Sequence, residues 1–110
     1  MATIKTKFRS SSVEGREGTL YFQVIHGRVA RQINTGYRIF PSEWNKSMSE
    51  IVLTTFDISR KHHLLALKER MDKDISRLES IIAGLEHSGG TYPAGRVVEL
   101  FHNPPPGGQI

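Results

Sequence analysis

The strongest constraint on this chain is an apolar stripe. Leu64, Leu67, Met71, Ile75, Leu78, Ile82 and Leu85 recur at steps of three and four, which places them on one face of a helix. Asp57 or Ser59 offers a capping side chain in front, and Ser88-Gly89-Gly90 breaks the pattern behind, so the spacing predicts a helix from Asp57 to about Leu85. At about 1.5 Å per residue such a helix runs over roughly 40 Å, longer than a small sheet of short strands can cover. Part of the stripe therefore needs other cover. The candidates are a second copy, a short amphipathic helix around Pro93 to Phe101 folding back, or a following domain.

The residues before that helix read as β structure. Thr3 to Arg9 alternates, with Ile4, Thr6 and Phe8 on one side and Thr3, Lys5, Lys7 and Arg9 on the other. Ser10 to Glu17 has the serine and glycine content of a loop, and Gly18 to Ile25 is rich in aromatic and β-branched residues. His26-Gly27 is expected to turn the chain into a third strand, Arg28 to Asn34, with a bend at Thr35-Gly36 before the short extended piece Tyr37 to Ile39. Pro41-Ser42-Glu43-Trp44 reads as one helical turn with proline at its first position. Trp44 is expected to plug the core, and Ile51-Val52-Leu53 to form a brief edge strand. The fold class is then α+β: a three-stranded antiparallel sheet packed on a long carboxy-terminal helix, followed by a short helix. Residues 1–56 form the sheet region and 57–87 the long helix. Residues 88–110, ending in the linker-like Pro104-Pro105-Pro106-Gly107-Gly108, would start a truncated further region, so the chain reads as a fragment.

Composition narrows the chemistry. The chain has 110 residues and no cysteine, which excludes disulfides, thiolate metal sites and thiol nucleophiles. No apolar run approaches the roughly 20 residues that span a bilayer, and Met1 to Lys5 lacks a secretory signal, so a cytoplasmic protein not inserted in a membrane is expected. The net charge of +4 is unevenly spread. Met1 to Met48 holds eight basic and three acidic residues, a net of +5, whereas Ser49 to Ile110 holds seven basic and eight acidic, a net of −1. Such asymmetry points to a polyanion, nucleic acid or an acidic membrane surface, met by the amino-terminal half.

Signatures of catalysis are missing. No phosphate-cradling glycine loop, metal-ligand cluster or nucleophile elbow occurs. His62 and His63 are adjacent, so on a helix they diverge by about 100° and cannot share a metal. Asp72 and Asp74 belong to the helix's polar side. No catalytic residue, metal, cofactor or small-molecule substrate is therefore expected.

The wet face of the sheet is more informative. With the turn at His26-Gly27, Ile25, Gln23 and Tyr21 would lie opposite Arg28, Ala30 and Gln32, while Val24, Phe22 and Leu20 would lie opposite Val29, Arg31 and Ile33 on the core side. Arg31 would snorkel outward. The opposite face gathers Lys5, Lys7, Arg9, Tyr21, Gln23, Arg28, Gln32 and Asn34, interrupted by Ile25 and Ala30. Lys and Arg suit phosphates or guanine, Gln and Asn suit adenine, and small apolar groups suit thymine methyls. Strands can present such groups in the major groove.

This order of elements resembles a known family. Three strands, the segment from Ile33 to Asn45 with its Thr35-Gly36 and Glu43-Trp44 landmarks, and then a long helix are similar to the amino-terminal arm DNA-binding domain of tyrosine recombinases, the phage-type integrases. Gly18 to Val29 is similar to the family's second and third strands, above all in integrases of Bacteroides conjugative and mobilisable elements. The resemblance covers about Thr3 to Asn45. It implies binding of double-stranded DNA at arm-type sites, with Lys5, Lys7, Tyr21, Gln23, Arg28, Gln32 and Asn34 at the interface, and other integrase protomers as further partners. It also implies that the catalytic residues of a DNA integration and recombination enzyme lie in a carboxy-terminal domain beyond this chain. Two other readings stay open. The stripe Leu64, Met71, Leu78 and Leu85 could dimerise as a coiled coil, or the sheet could bind RNA, although Tyr21 alone is placed to stack on bases.

Overall fold

The computed structural model describes residues 2–53 and 56–103. It is an α+β fold in two layers. Strands β1 (Thr3–Arg9), β2 (Gly18–His26) and β3 (Val29–Ile39) form an antiparallel meander, and helices α1 (Ile58–His87) and α2 (Ala94–His102) cover one face. The alternation seen in the sequence sets which face. Leu20, Phe22 and Val24 of β2 and Ile33 and Ile39 of β3 are fully buried, while their sequence neighbours point to solvent. Burying each such side chain contributes about 1.5–3 kcal/mol.

Helix α1 begins where its cap residue allows. Asp57 Oδ1 accepts the Arg60 backbone N–H at 3.2 Å, satisfying one of the free donors of the first turn. From the stripe, Leu64, Leu67, Met71, Leu78 and Ile82 are buried, with Ile75 and Leu85 half-buried beside them. Of the three covers considered for the far end of the stripe, the amphipathic helix is in place. Its Ala94 and Val97 are fully buried against α1 and the sheet, and Tyr92 stacks flat on His26 at 4.2 Å between centroids. Arg77 of α1 holds the other end of α2, with its guanidinium 4.6 Å from the Phe101 ring centroid and Nη2 donating to the Phe101 carbonyl at 2.5 Å. Pro104 to Gly108 lies outside the described residues.

Three local expectations are corrected. The β2–β3 turn is Gly27-Arg28, not His26-Gly27. Ile25 pairs with Ala30, Gln23 with Gln32 and Tyr21 with Asn34, two residues on from the expected partners. A shift of two preserves the side-chain alternation, so every residue that stays in a strand keeps its face, and Arg28 alone leaves the expected strand for the turn. Thr35-Gly36 does not end the strand but forms a bulge within β3: Tyr21 pairs with Asn34 and Thr19 with Arg38, leaving Thr35, Gly36 and Tyr37 opposite Leu20 alone. Thr35 Oγ1 donates to the Leu20 carbonyl at 2.7 Å and accepts the Tyr37 N–H at 3.0 Å, while Gly36 takes φ +77°. Finally, Ile51-Val52-Leu53 is not the edge strand. Glu50–Ile51 (β5) pairs with Trp44–Asn45 (β4) in a separate small hairpin that follows the 3₁₀ turn Pro41–Glu43. Trp44 is half-buried at the rim of the core, stacked on Phe8 at 6.2 Å, not sealed beneath the sheet.

The bulge is tied to the helix layer. Tyr37 Oη donates to Asp74 Oδ2 of α1 at 2.7 Å. Burial, with help from that bond and from the Asp74 charge, pushes the phenol from 10.0 up to about 12, against a small opposing effect of Arg70. A phenol that holds its proton more tightly when folded adds stability below its unfolded value of 10.0, and that contribution disappears as pH rises towards 12. Tyr37→Phe is expected to cost about 1 kcal/mol at neutral pH and to flatten the loss of stability between pH 10 and 12. Urea titrations at stepped pH read both effects, and an identical alkaline decline in wild type and variant would refute the linkage.

Candidate nucleic-acid interface

The register sorts the exposed sheet face into four cross-strand rows. From the hairpin end they are Thr3, Ile25, Ala30; then Lys5, Gln23, Gln32; then Lys7, Tyr21, Asn34; then Arg9, Thr19, Arg38. The middle rows place a cation on β1, a reader-type side chain on β2 and an amide on β3. Seven of the residues singled out from the sequence, Lys5, Lys7, Arg9, Tyr21, Gln23, Gln32 and Asn34, thus share this face. Arg28 does not belong to a strand row. It sits at the tip, where it and Gly27 take φ +67° and +59°, the pair of positive values that a type I′ hairpin turn requires. Arg38 was missed from the sequence, although as an even-numbered residue of β3 it alternates with Gln32 and Asn34 and the bulge keeps it on their side.

Polar contacts already order part of the face. Arg9 lies over the Tyr21 ring at 5.0 Å from its centroid and donates from Nη2 to Gln32 Oε1 at 2.9 Å. Gln32 Nε2 in turn donates to Asn34 Oδ1 at 2.6 Å. A guanidinium held on an aromatic ring gives up its rotamer freedom before a ligand arrives, which lowers the entropy that binding must overcome. Gln32 spends its carbonyl and one amide hydrogen within the chain. Among the described residues the Gln23 amide has no hydrogen-bond partner, so both of its ends remain available for a bidentate contact.

The electrostatics are one-sided. The three strands contain Lys5, Lys7, Arg9, Arg31 and Arg38 and no aspartate or glutamate. Glu17, just before β2, and Glu43, just after β3, are both engaged by a cation of the helix layer. Both accept from Arg60 of α1, and those bonds hold the Glu43 carboxyl below its ordinary range despite its burial. The positive field of the sheet face is therefore not neutralised from within it.

No group of three or more His, Cys, Asp or Glu residues suited to a metal occurs among the described residues, and no described helix is long and apolar enough to cross a membrane. Comparison of the chain with known protein families, curated proteins and solved structures finds no match.

Proposed function

We propose that this chain reads double-stranded DNA through the exposed face of its sheet, as the amino-terminal arm-binding module of a tyrosine recombinase whose cutting and rejoining chemistry resides elsewhere. The observation that carries the reading is a three-stranded sheet with basic, amide and aromatic side chains in ordered rows and not one acidic residue in its strands. Dimensions agree. Three strands at about 4.8 Å spacing are roughly 10 Å across, and the major groove of B-DNA is about 12 Å wide. Lys5, Lys7 and Arg9 would meet one phosphate strand from β1, Arg38 and the tip residue Arg28 would reach phosphates from the sheet's other margin, and Gln23, Asn34 and the Ile25–Ala30 pair would face base edges. The coiled-coil alternative is weakened by Leu64, Met71 and Leu78, which are spent in the chain's own core.

The test is fluorescence anisotropy on labelled duplexes carrying candidate arm repeats or a scrambled sequence, across a salt series. Preference for the repeats, with log K falling by about 0.9 per neutralised phosphate against log salt, supports the reading. Gln23→Ala is expected to lower the preference for repeats by about tenfold while barely changing affinity for scrambled duplex, because a bidentate base contact is worth about 1–3 kcal/mol of discrimination. Lys5→Ala is expected to weaken both duplexes alike. Equal losses on the two duplexes for Gln23→Ala would remove base reading from that residue, and no duplex binding at low salt would overturn the function.

A further inference from the structure

At the end of the sheet opposite the hairpin tip, the β1–β2 loop and β3 enclose an open cleft of about 340 Å³. Arg16, Arg38, Ser10 and Ser11 line it, together with Arg9 and Glu17. Arg38 and Arg9 enter from the outer strands on either side of Thr19, and Arg16 enters from the loop, where Gly15 at φ +80° turns the chain. Arg16 and Arg38 are exposed, and among the described residues neither guanidinium has a carboxylate partner. The one acid in the wall, Glu17, is committed to Arg60 at 2.8 Å. Ser11 Oγ accepts the Val13 N–H at 3.1 Å, which leaves its hydroxyl hydrogen available to an acceptor in the cleft.

Two planar guanidiniums with no carboxylate partner among the described residues, beside hydroxyl donors, match the oxygen geometry of a phosphate group better than that of any neutral ligand. We infer that this cleft is a phosphodiester clamp: Arg16 and Arg38 grip one backbone phosphate of the nucleic acid, with Ser10 and Ser11 donating to its oxygens. The identity of the ligand rests on the duplex-reading proposal; the anion chemistry of the cleft does not. Such a clamp fixes where the sheet ends along the groove and hence which base pairs meet Gln23 and Asn34, while itself reading no sequence.

Two measurements on the full 110-residue chain separate the clamp from the reading. In the first, ¹⁵N-labelled protein is titrated with inorganic phosphate at constant ionic strength against chloride. Saturable shifts of the Arg16 and Arg38 side-chain Nε–H signals, without matching shifts at Lys7 or Asn34, support the clamp; their absence overturns it. In the second, duplex affinity is compared across salt for wild type and Arg16→Ala/Arg38→Ala, a pair of exposed changes whose melting curve serves as the folding control. About a tenfold loss on repeat and scrambled duplexes alike, with the salt slope shallower by about one phosphate's worth, is expected. Unchanged affinity and slope in the variant, with wild type binding normally, overturn the clamp and leave the duplex reading standing. Wild-type protein that binds no duplex overturns the duplex reading, and the phosphate titration alone then decides the clamp.

Discussion

Arg60→Ala is expected to destabilise the fold by about 3 kcal/mol, because removing one partner of a largely buried ion pair leaves the other charge uncompensated. Arg60 donates through Nε to Glu43 Oε2 at 2.7 Å, through Nη2 to Glu43 Oε1 at 2.6 Å, and through Nη2 to Glu17 Oε2 at 2.8 Å. Its guanidinium also sits 4.9 Å from the Phe40 ring centroid. Glu43 is only 5% exposed, and it further accepts the Phe40 N–H at 2.7 Å. One side chain of α1 thus joins the β1–β2 loop, the 3₁₀ turn and the helix. At about 4 °C per kcal/mol for a chain of this size, the melting midpoint should fall by roughly 12 °C. Thermal unfolding followed by circular dichroism reads this directly, and a fall under a few degrees would show that the contact is a solvated surface pair. The pH dependence has a definite sign. The depressed Glu43 carboxyl adds stability above its ordinary value of 4.5 and loses it as pH falls through its lowered folded value. Acid unfolding of wild type should therefore steepen below pH 4.5 relative to Arg60→Ala.

Gly18→Ala should have a comparable effect by a different route. Gly18 opens β2 and is buried, and a β-carbon there would stand 2.3 Å from the Arg9 carbonyl oxygen and 2.6 Å from the Phe8 ring. Backbone cannot yield as a flexible side chain would, so β1 and β2 must separate at this end. Overpacking of this kind typically costs about 1–3 kcal/mol, occasionally more, and it lies where β1 delivers Arg9 to Tyr21 and Gln32. The variant is thus expected both to melt early and to lose duplex affinity at temperatures where it is still folded. Gly15→Ala is a useful contrast, since no atom lies within 4 Å of its added carbon and only its positive φ resists the change. Wild-type stability in Gly18→Ala would mean the strands have slack that the structure does not show.

Alternation carried most of what was legible in advance. A period of two in β1 and β2, and of three and four in α1, specified elements and faces before any contact was known, because burial acts on those periods directly. Register was a different matter. It depends on which two residues turn the chain, and an arginine at positive φ gives no compositional sign of itself; only the two-residue size of the slip protected the assignment of faces. The Thr35-Gly36 bulge was read as a bend because its reason is a tertiary one, a threonine hydroxyl bonded to Leu20 across the sheet. Hairpin β4–β5 is too short for periodicity to detect. On the candidate face, seven positions followed from alternation, whereas Arg38 lay past a supposed strand end and Arg16 in a loop, where no period applies. The clustering of Glu17, Glu43 and Arg60 spans 43 residues and had no local signal.

The hairpin tip sets two kinds of selection against each other. Gly27 and Arg28 both occupy left-handed backbone, and a non-glycine residue there carries a penalty of roughly 1 kcal/mol that glycine would avoid. The change that relaxes the turn also deletes its outermost cation. A library randomised at position 28 and sorted for heat resistance should therefore enrich glycine, whereas the same library sorted for retention on duplex should keep arginine or lysine. Convergence of both sorts on glycine would mean that the tip never touches nucleic acid.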